Sequence, residues 1–253
     1  MFKVMFFIEA EKVNKFYRTL NGTVHALEDV SFTVSKGEFV VIVGPSGCGK
    51  TTLLKIVAGL LPFESGKVKI NGVPLNGPSK SMGLVFQKPV LFKWQKVIDN
   101  VLAPIELMGL RKKDYYDRAL ELLKLTKIEE FKNKYPDQLS GGMQQRVSIC
   151  RALIHDPDFL LMDEPFGALD AITRDKMGFD LLNIWEKKKK TILFVTHSIP
   201  EAIFLADRIT VLGQRPAKVL EIIRVDLSRP RDLSMKGSKT FGDYTLRLHD
   251  LLL

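Results

Sequence analysis

Apolar and polar residues along the chain sort into alternating runs, unbroken apolar runs and helical stripes. The opening stretch reads as short strands with turns. Residues 30–34 alternate moderately, Lys36-Gly37 breaks the run, and residues 39–43 are then all apolar. An unbroken run of that length suits a strand covered on both faces, as in a parallel sheet. Residues 44–49 follow, then a predicted helix from about 50 to 58 that Gly59 ends. Residues 68–70 before Asn71-Gly72 predict a strand and a tight turn.

The middle of the chain changes period. Residues 97–108 and 115–125 carry helical spacing, with Leu120, Leu122 and Leu123 in one stripe. A further helix is predicted over 141–154, with Met143, Val147, Cys150 and Ile154 on one face. Strands then alternate with helices again. Residues 159–162, 191–196 and 209–212 read as buried strands, 172–187 as a helix and 201–206 as the start of another. The expected fold is therefore α/β, with a mostly parallel sheet and ligands beyond the carboxyl ends of its strands. One domain spans 1–253. Residues 1–87 and 137–212 form the α/β core with its β subdomain, and 88–136 a small helical lobe that runs on into the 141–154 helix. The tail, 213–253, is expected to hold an edge strand over 219–225, a turn at Arg229-Pro230-Arg231 and an amphipathic helix over 240–253.

Composition narrows this only a little. With 45% hydrophobic and 26% charged residues, the 253-residue chain has the balance of an ordinary globular protein. Its 38 basic and 29 acidic residues give +9, which fits a nucleic acid, an anionic membrane surface or a phosphate-rich ligand without choosing among them. The run Lys187-Lys188-Lys189-Lys190 reads as a solvated surface. Cys48 and Cys150 have no metal-ligand spacing, so a reducing compartment without disulfides is expected. No apolar stretch approaches the ~20 residues of a membrane-spanning helix, and residues 1–10 lack a signal-peptide pattern, so a membrane role has to come through a partner. Met5 is as good a start as Met1.

Three segments carry chemistry. Gly44-Pro45-Ser46-Gly47-Cys48-Gly49-Lys50-Thr51 matches the phosphate-loop pattern between a predicted strand and helix. Its glycines let backbone N–H groups converge on phosphate oxygens, Lys50 reaches the β- and γ-phosphates, and the Thr51 hydroxyl ligates Mg²⁺. Asp163-Glu164 ends an apolar strand; Asp163 supplies the second hard oxygen for Mg²⁺, and Glu164 is left to orient and deprotonate the attacking water. An acidic helix cap before Pro165 is the plainer alternative. Leu139-Ser140-Gly141-Gly142-Met143-Gln144-Gln145-Arg146 opens a helix with a serine and two glycines, a second anion site built from backbone donors. Alone, it would be an ordinary Ser cap. Beside a phosphate loop, it is best explained as serving an ATP held by another copy of the chain.

With those motifs in their order, the chain resembles the ATP-binding cassette family from about residue 13 to 212. The resemblance implies a P-loop NTPase fold with an N-terminal antiparallel β subdomain and an inserted helical subdomain. It implies nucleotide contacts from Tyr17, from Gly44 to Thr51 and Thr52, and from Ser140, Gly141 and Gly142 of the opposite copy. Tyr17 is similar to the aromatic that stacks on adenine, with Phe16 as a substitute and core packing as the alternative for either. Gln87, after Val85-Phe86, resembles the glutamine that touches Mg²⁺ and the attacking water. Ala168-Leu169-Asp170 resembles the loop that signals between protomers, and His197 the switch histidine at the γ-phosphate. His25, His155 and His249 read as structural. The Gly-Pro-Ser-Gly-Cys-Gly-Lys loop and the 225–231 tail resemble importers of the nitrate, sulfonate and taurine type, and related importers carry thiamine precursors. Phe92-Lys93-Trp94 departs from the Leu-Pro-Trp common there. The family implies an ATP hydrolase using ATP and Mg²⁺. It would form an ATP-dependent head-to-tail homodimer with two membrane-spanning permease subunits at the cytoplasmic face of the membrane, and a solute-binding protein would act indirectly. A soluble ATPase acting on nucleic acid is the rival, but 87–139 has room only for a compact lobe, not for long coiled-coil insertions. A non-hydrolysing switch is disfavoured by Glu164. The aromatics Phe92 and Trp94 either pack the helical lobe on the core or line a groove for a permease helix.

Overall fold

The computed structural model describes residues 6–20 and 22–253. The alternative starts, Met1 and Met5, lie outside them. Strands β1 (Ile8–Thr19) and β2 (Gly22–Val34) pair antiparallel, and β4 (Ser65–Ile70) and β5 (Val73–Pro74) complete a four-stranded sheet in the order β2-β1-β4-β5. These first two strands are longer than their sequence pattern predicts. The reason is local: register shifts between Ala10 and Phe16 break the alternation that a strand of this length would otherwise display.

The second sheet has six strands: β3 (Phe39–Val43), β6 (Met82–Val85), β7 (Phe159–Asp163), β8 (Thr191–Thr196), β9 (Arg208–Leu212) and β10 (Val219–Arg224). Their order is β10-β9-β3-β8-β7-β6, parallel except for the antiparallel edge strand β10. The helices are α1 (Lys50–Val57), α2 (Val97–Leu107), α3 (Tyr116–Leu125), α4 (Gly141–Leu153), α5 (Ala171–Lys188), α6 (Ile199–Leu205) and α7 (Lys239–Leu252). The fold is the P-loop NTPase α/β arrangement, with α2, α3 and short 3₁₀ turns filling the interval after β6.

Side chains of the central strands divide cleanly between two cores. Phe39, Val41, Val43, Leu160, Met162, Ile192 and Phe194 face α4, α5 and α6, whereas Val40, Ile42, Phe159, Leu161, Leu193 and Val195 face α1 and the antiparallel sheet. This is the period-two alternation of a strand, here apolar on both sides. Each such fully buried side chain contributes roughly 1.5–3 kcal/mol. Because β3, β7 and β8 run parallel and side by side, the residues that follow them emerge along one edge of the sheet.

Helix α6 begins at Ile199, two residues before the predicted start, since Ser198 caps it by accepting from the Glu201 amide and Pro200 fits its first turn. In the tail, α7 buries Phe241 and Leu248. Buried Arg231 donates to the carbonyls of Ile203 and Phe204, fastening the tail to the end of α6.

Candidate functional site

The phosphate loop leaves β3 and enters α1. Gly47 and Gly49 take φ of 75° and 128°, backbone that side-chain-bearing residues rarely adopt. A Cβ on Gly49 would also lie 2.9 Å from Leu27 Cδ2, so the loop is pressed against β2 of the antiparallel sheet. Gly49 stands at the cap of α1 without any side-chain acceptor for the first amides. Those amides are left for an anion. Lys50 is buried, and its Nζ donates to the carbonyls of Gly44 (2.9 Å) and Pro45 (2.8 Å), which holds the ammonium inside the curl of the loop. Cys48 packs beneath, and burial raises its thiol pKa, so it is a packing group. A hollow of about 480 Å³ is lined by Pro45, Ser46, Gly47 and Cys48 together with Gln214 and Arg215.

Asp163 and Glu164 end β7 next to this loop. Asp163 Oδ1 accepts from the Thr51 hydroxyl at 2.8 Å, and the residue is 7% exposed. Burial raises its pKa, an effect that the Thr51 hydrogen bond and the nearby lysines only partly oppose. A buried carboxylate whose hydrogen-bond partner is a neutral hydroxyl has no cation bonded to it directly, and two hard oxygens side by side suit Mg²⁺. The residues present therefore fit that ion.

Glu164 has φ of 42°, a left-handed conformation that is costly for a non-glycine residue. Its amide is fixed to the Val195 carbonyl at 2.9 Å, and its carboxylate lies between an imidazole and an ammonium: Oε2 is 2.8 Å from His197 Nδ1 and Oε1 is 3.7 Å from Lys50 Nζ. Such local strain at a site is the usual mark of a positioned group. Gln87 follows β6 and is exposed; a Cβ on Gly167 would stand 3.6 Å from its amide nitrogen and 3.7 Å from Glu164 Oε2, so both side chains border Gly167.

Tyr17 and Thr52 are bridged, hydroxyl to hydroxyl, at 3.1 Å, which brings the half-exposed Tyr17 ring beside the first turn of α1. Phe16 instead stacks on His25, with centroids 4.0 Å apart and planes at 13°. The two adjacent aromatics are thus differently committed.

Ser140 caps α4, accepting from the Met143 amide at 3.3 Å, while Gly141 is exposed with open space around it. Gly142 is buried against Thr173 and Leu169. Since α1 packs on one face of the sheet and α4 on the other, the Ser140 cradle and the phosphate loop belong to opposite layers of one chain.

Two sets of contacts escaped sequence reading. Buried Gln145 donates to the Phe86 carbonyl at 3.2 Å, tying α4 to the turn that carries Gln87. Fully buried Asn100 accepts from the Phe92 amide and donates to the carbonyls of Phe92, Gln95 and Lys96. Its one visible signal is a lone amide in an apolar helical run. Among the described residues no helix is long and apolar enough to cross a membrane.

The family model for ABC transporters matches residues 27–167. An uncharacterized ABC transporter ATP-binding protein of Methanocaldococcus jannaschii is 44% identical over 97% of this chain and 91% of its own. An aliphatic sulfonates import ATP-binding protein of Bacillus thuringiensis is 45% identical over 92% of this chain and 91% of its own. A dimeric ATP-binding cassette solved in a post-hydrolysis state with ADP and phosphate superposes with a TM-score of 0.77 at 33% identity, covering 87% of this chain and 100% of that one. With that agreement reaching from the phosphate loop into the tail, the protein belongs to the ABC transporter family.

Proposed function

We propose that the protein is the ATP-hydrolysing subunit of an importer for a small sulfonate-type solute, working as a head-to-tail homodimer closed by two ATP molecules. The observation that carries this reading is the separation of the two anion cradles. The phosphate loop opens α1 on one layer, and Ser140, Gly141 and Gly142 open α4 on the other. A second copy, turned head to tail, lets the Ser140 cradle of one chain cap the phosphates held by the loop of its partner. ATP then glues the dimer closed.

Within each composite site the residues divide the work. Tyr17 stacks on the adenine, the loop amides and Lys50 hold the β- and γ-phosphates, and Thr51, Asp163 and Gln87 would hold Mg²⁺. Bound there, Mg²⁺ supplies charge neutralisation for the phosphate oxygens. Glu164 accepts the proton of the attacking water, and His197 holds its carboxylate while facing the γ-phosphate. Residues 168–170 report the state of one site to the other copy.

Coupling to transport runs through two membrane-spanning permease subunits, which dock this chain to the cytoplasmic face of the membrane. A solute-binding protein delivers cargo to the permease and does not touch this chain. The sulfonate class follows from the 45% identity to a sulfonate import protein and from the 225–231 tail. The decisive experiment is reconstitution with the permease and binding protein in vesicles, following a labelled short aliphatic sulfonate. Uptake should require ATP on the cassette side. ATP turnover that ignores both permease and solute would overturn the import reading.

A further inference from the structure

Arg174 and Glu201 lie outside the nucleotide site, yet they join two of its moving parts. Arg174, on α5, donates through Nη2 to the Leu169 carbonyl at 2.8 Å and through Nε to the Phe166 carbonyl at 3.4 Å. The same Nε stands 3.3 Å from Glu201 Oε1, on α6. The other carboxylate oxygen of Glu201 accepts from the Thr196 hydroxyl at 2.5 Å, and that hydroxyl accepts in turn from the Ser198 amide at 3.0 Å. Both neighbours of His197 are therefore held by one hydroxyl, which is held by Glu201. Asp170 caps α5 by accepting from the Thr173 amide at 3.0 Å, so the turn over 166–170 is fixed to the helix that carries Arg174.

The connection is continuous and mostly buried. Glu201's side chain is 10% exposed and Arg174's 27%. Burial raises the pKa of Glu201, while the Thr196 hydrogen bond and Arg174 draw it back. A buried carboxylate that loses its cation keeps its desolvation cost and forfeits its partner, so the pair resists separation and moves as a unit. On the far side of the turn, His197 meets Glu164 at 2.8 Å. A displacement of residues 166–170 then reaches His197 through two side chains, rather than through the intervening backbone of α5 and β8.

We propose that Arg174 and Glu201 are positioning residues: their ion pair ties the turn over 166–170 to the His197 turn, so that contact of that turn with the partner cassette sets His197 against Glu164. The inference rests on the head-to-tail reading above. Neither residue touches nucleotide. Their loss should leave ATP affinity alone and change turnover and the coupling between the two sites.

The test uses the purified full-length chain and two conservative variants. Glu201→Gln keeps an acceptor for the Thr196 hydroxyl but removes the charge facing Arg174. Arg174→Lys keeps the charge but cannot hold both carbonyls and the carboxylate together. Each should bind ATP within about 2-fold of the parent, keep KM, and lose kcat by ~5- to 150-fold, the range of a typical coupling between sites. The Hill coefficient for ATP should fall toward 1. The double variant should be no worse than the poorer single one, as expected of residues acting through one contact. Melting curves run alongside separate this from unfolding, and Arg174, the less buried of the two, carries the test if the Glu201 variant does not fold. Should the parent hydrolyse ATP without cooperativity, the head-to-tail reading and the bridge fail together. If the parent is cooperative and both variants keep its kcat and Hill coefficient, the bridge alone is overturned.

Discussion

His197 Nδ1 lies 2.8 Å from Glu164 Oε2, and the other oxygen of that carboxylate is 3.7 Å from Lys50 Nζ. A carboxylate held between an imidazole and the loop ammonium is fixed in direction, which suits the proposed role of Glu164 as general base. Glu164→Gln keeps the shape and removes the proton acceptor. Turnover should fall by ~10²- to 10⁴-fold, the usual contribution of a general base. ATP binding should persist, so closed dimers should accumulate and elute early in size-exclusion chromatography with ATP. Unchanged hydrolysis would remove Glu164 from the chemistry.

Sharing of the site is checked by mixing two crippled chains. Lys50→Ala removes the ammonium from the loop, and Ser140→Leu removes the α4 cap and fills the cradle. Neither chain alone should form ATP-dependent dimers. A heterodimer still contains one intact composite site, with Lys50 from one chain and Ser140 from the other, so the mixture should dimerise in ATP and each parent should not. Full ATPase activity in the Ser140 variant alone would mean that one protomer suffices.

Much of this arrangement was legible because the strand ends announce it. The unbroken run before Gly44, the apolar run before Asp163 and the run before His197 each predict a buried parallel strand, and the polar residues after them emerge together at one sheet edge. What remained hidden depends on contacts between residues distant in sequence. Arg174 to Glu201 and Gln145 to Phe86 are such contacts, and no local pattern predicts either pairing. The long hairpin of β1 and β2 was obscured differently, by bulges that break the period-two signal. Lys50 illustrates a third limit: its motif assigns it to phosphates, but only the fold reveals its two carbonyl partners.

His155 offers a test of stability rather than of catalysis. Burial lowers its pKa below 6.5, although its hydrogen bond to the Met82 carbonyl and nearby Asp156 act the other way. In acid the unfolded chain therefore binds a proton that the folded chain resists. Stability contributed by neutral His155 is present above about pH 6.5 and is lost as pH falls through the lower folded-state value. Urea midpoints measured at about pH 7.5 and about pH 5.5 should drop less for His155→Gln than for the parent. An equal drop would mean that His155 titrates normally in the folded chain.

The aromatic pair at Phe92 and Trp94 divides its roles. The rings are 5.3 Å apart, but Trp94 is 75% exposed whereas Phe92 is half-buried. Phe92 lines a hollow of about 340 Å³ with Leu84, Phe86, Pro104, Leu107 and Met108, and Leu107 is 81% exposed at its rim. An exposed tryptophan and leucine beside an open apolar hollow form a surface suited to a helix of the proposed permease partner. Trp94→Ala and Leu107→Ala should therefore leave the melting temperature and basal ATPase activity nearly unchanged, weaken co-purification with the permease and abolish uptake. Asn100→Leu is the contrasting variant. It removes the side chain that satisfies Phe92, Gln95 and Lys96 from within, so it should destabilise the fold by about 2 kcal/mol, the cost of buried polar groups left unpaired. The two kinds of variant separate docking from folding. If Trp94→Ala melts as early as Asn100→Leu, the tryptophan holds the helical lobe on the core and the permease docks elsewhere.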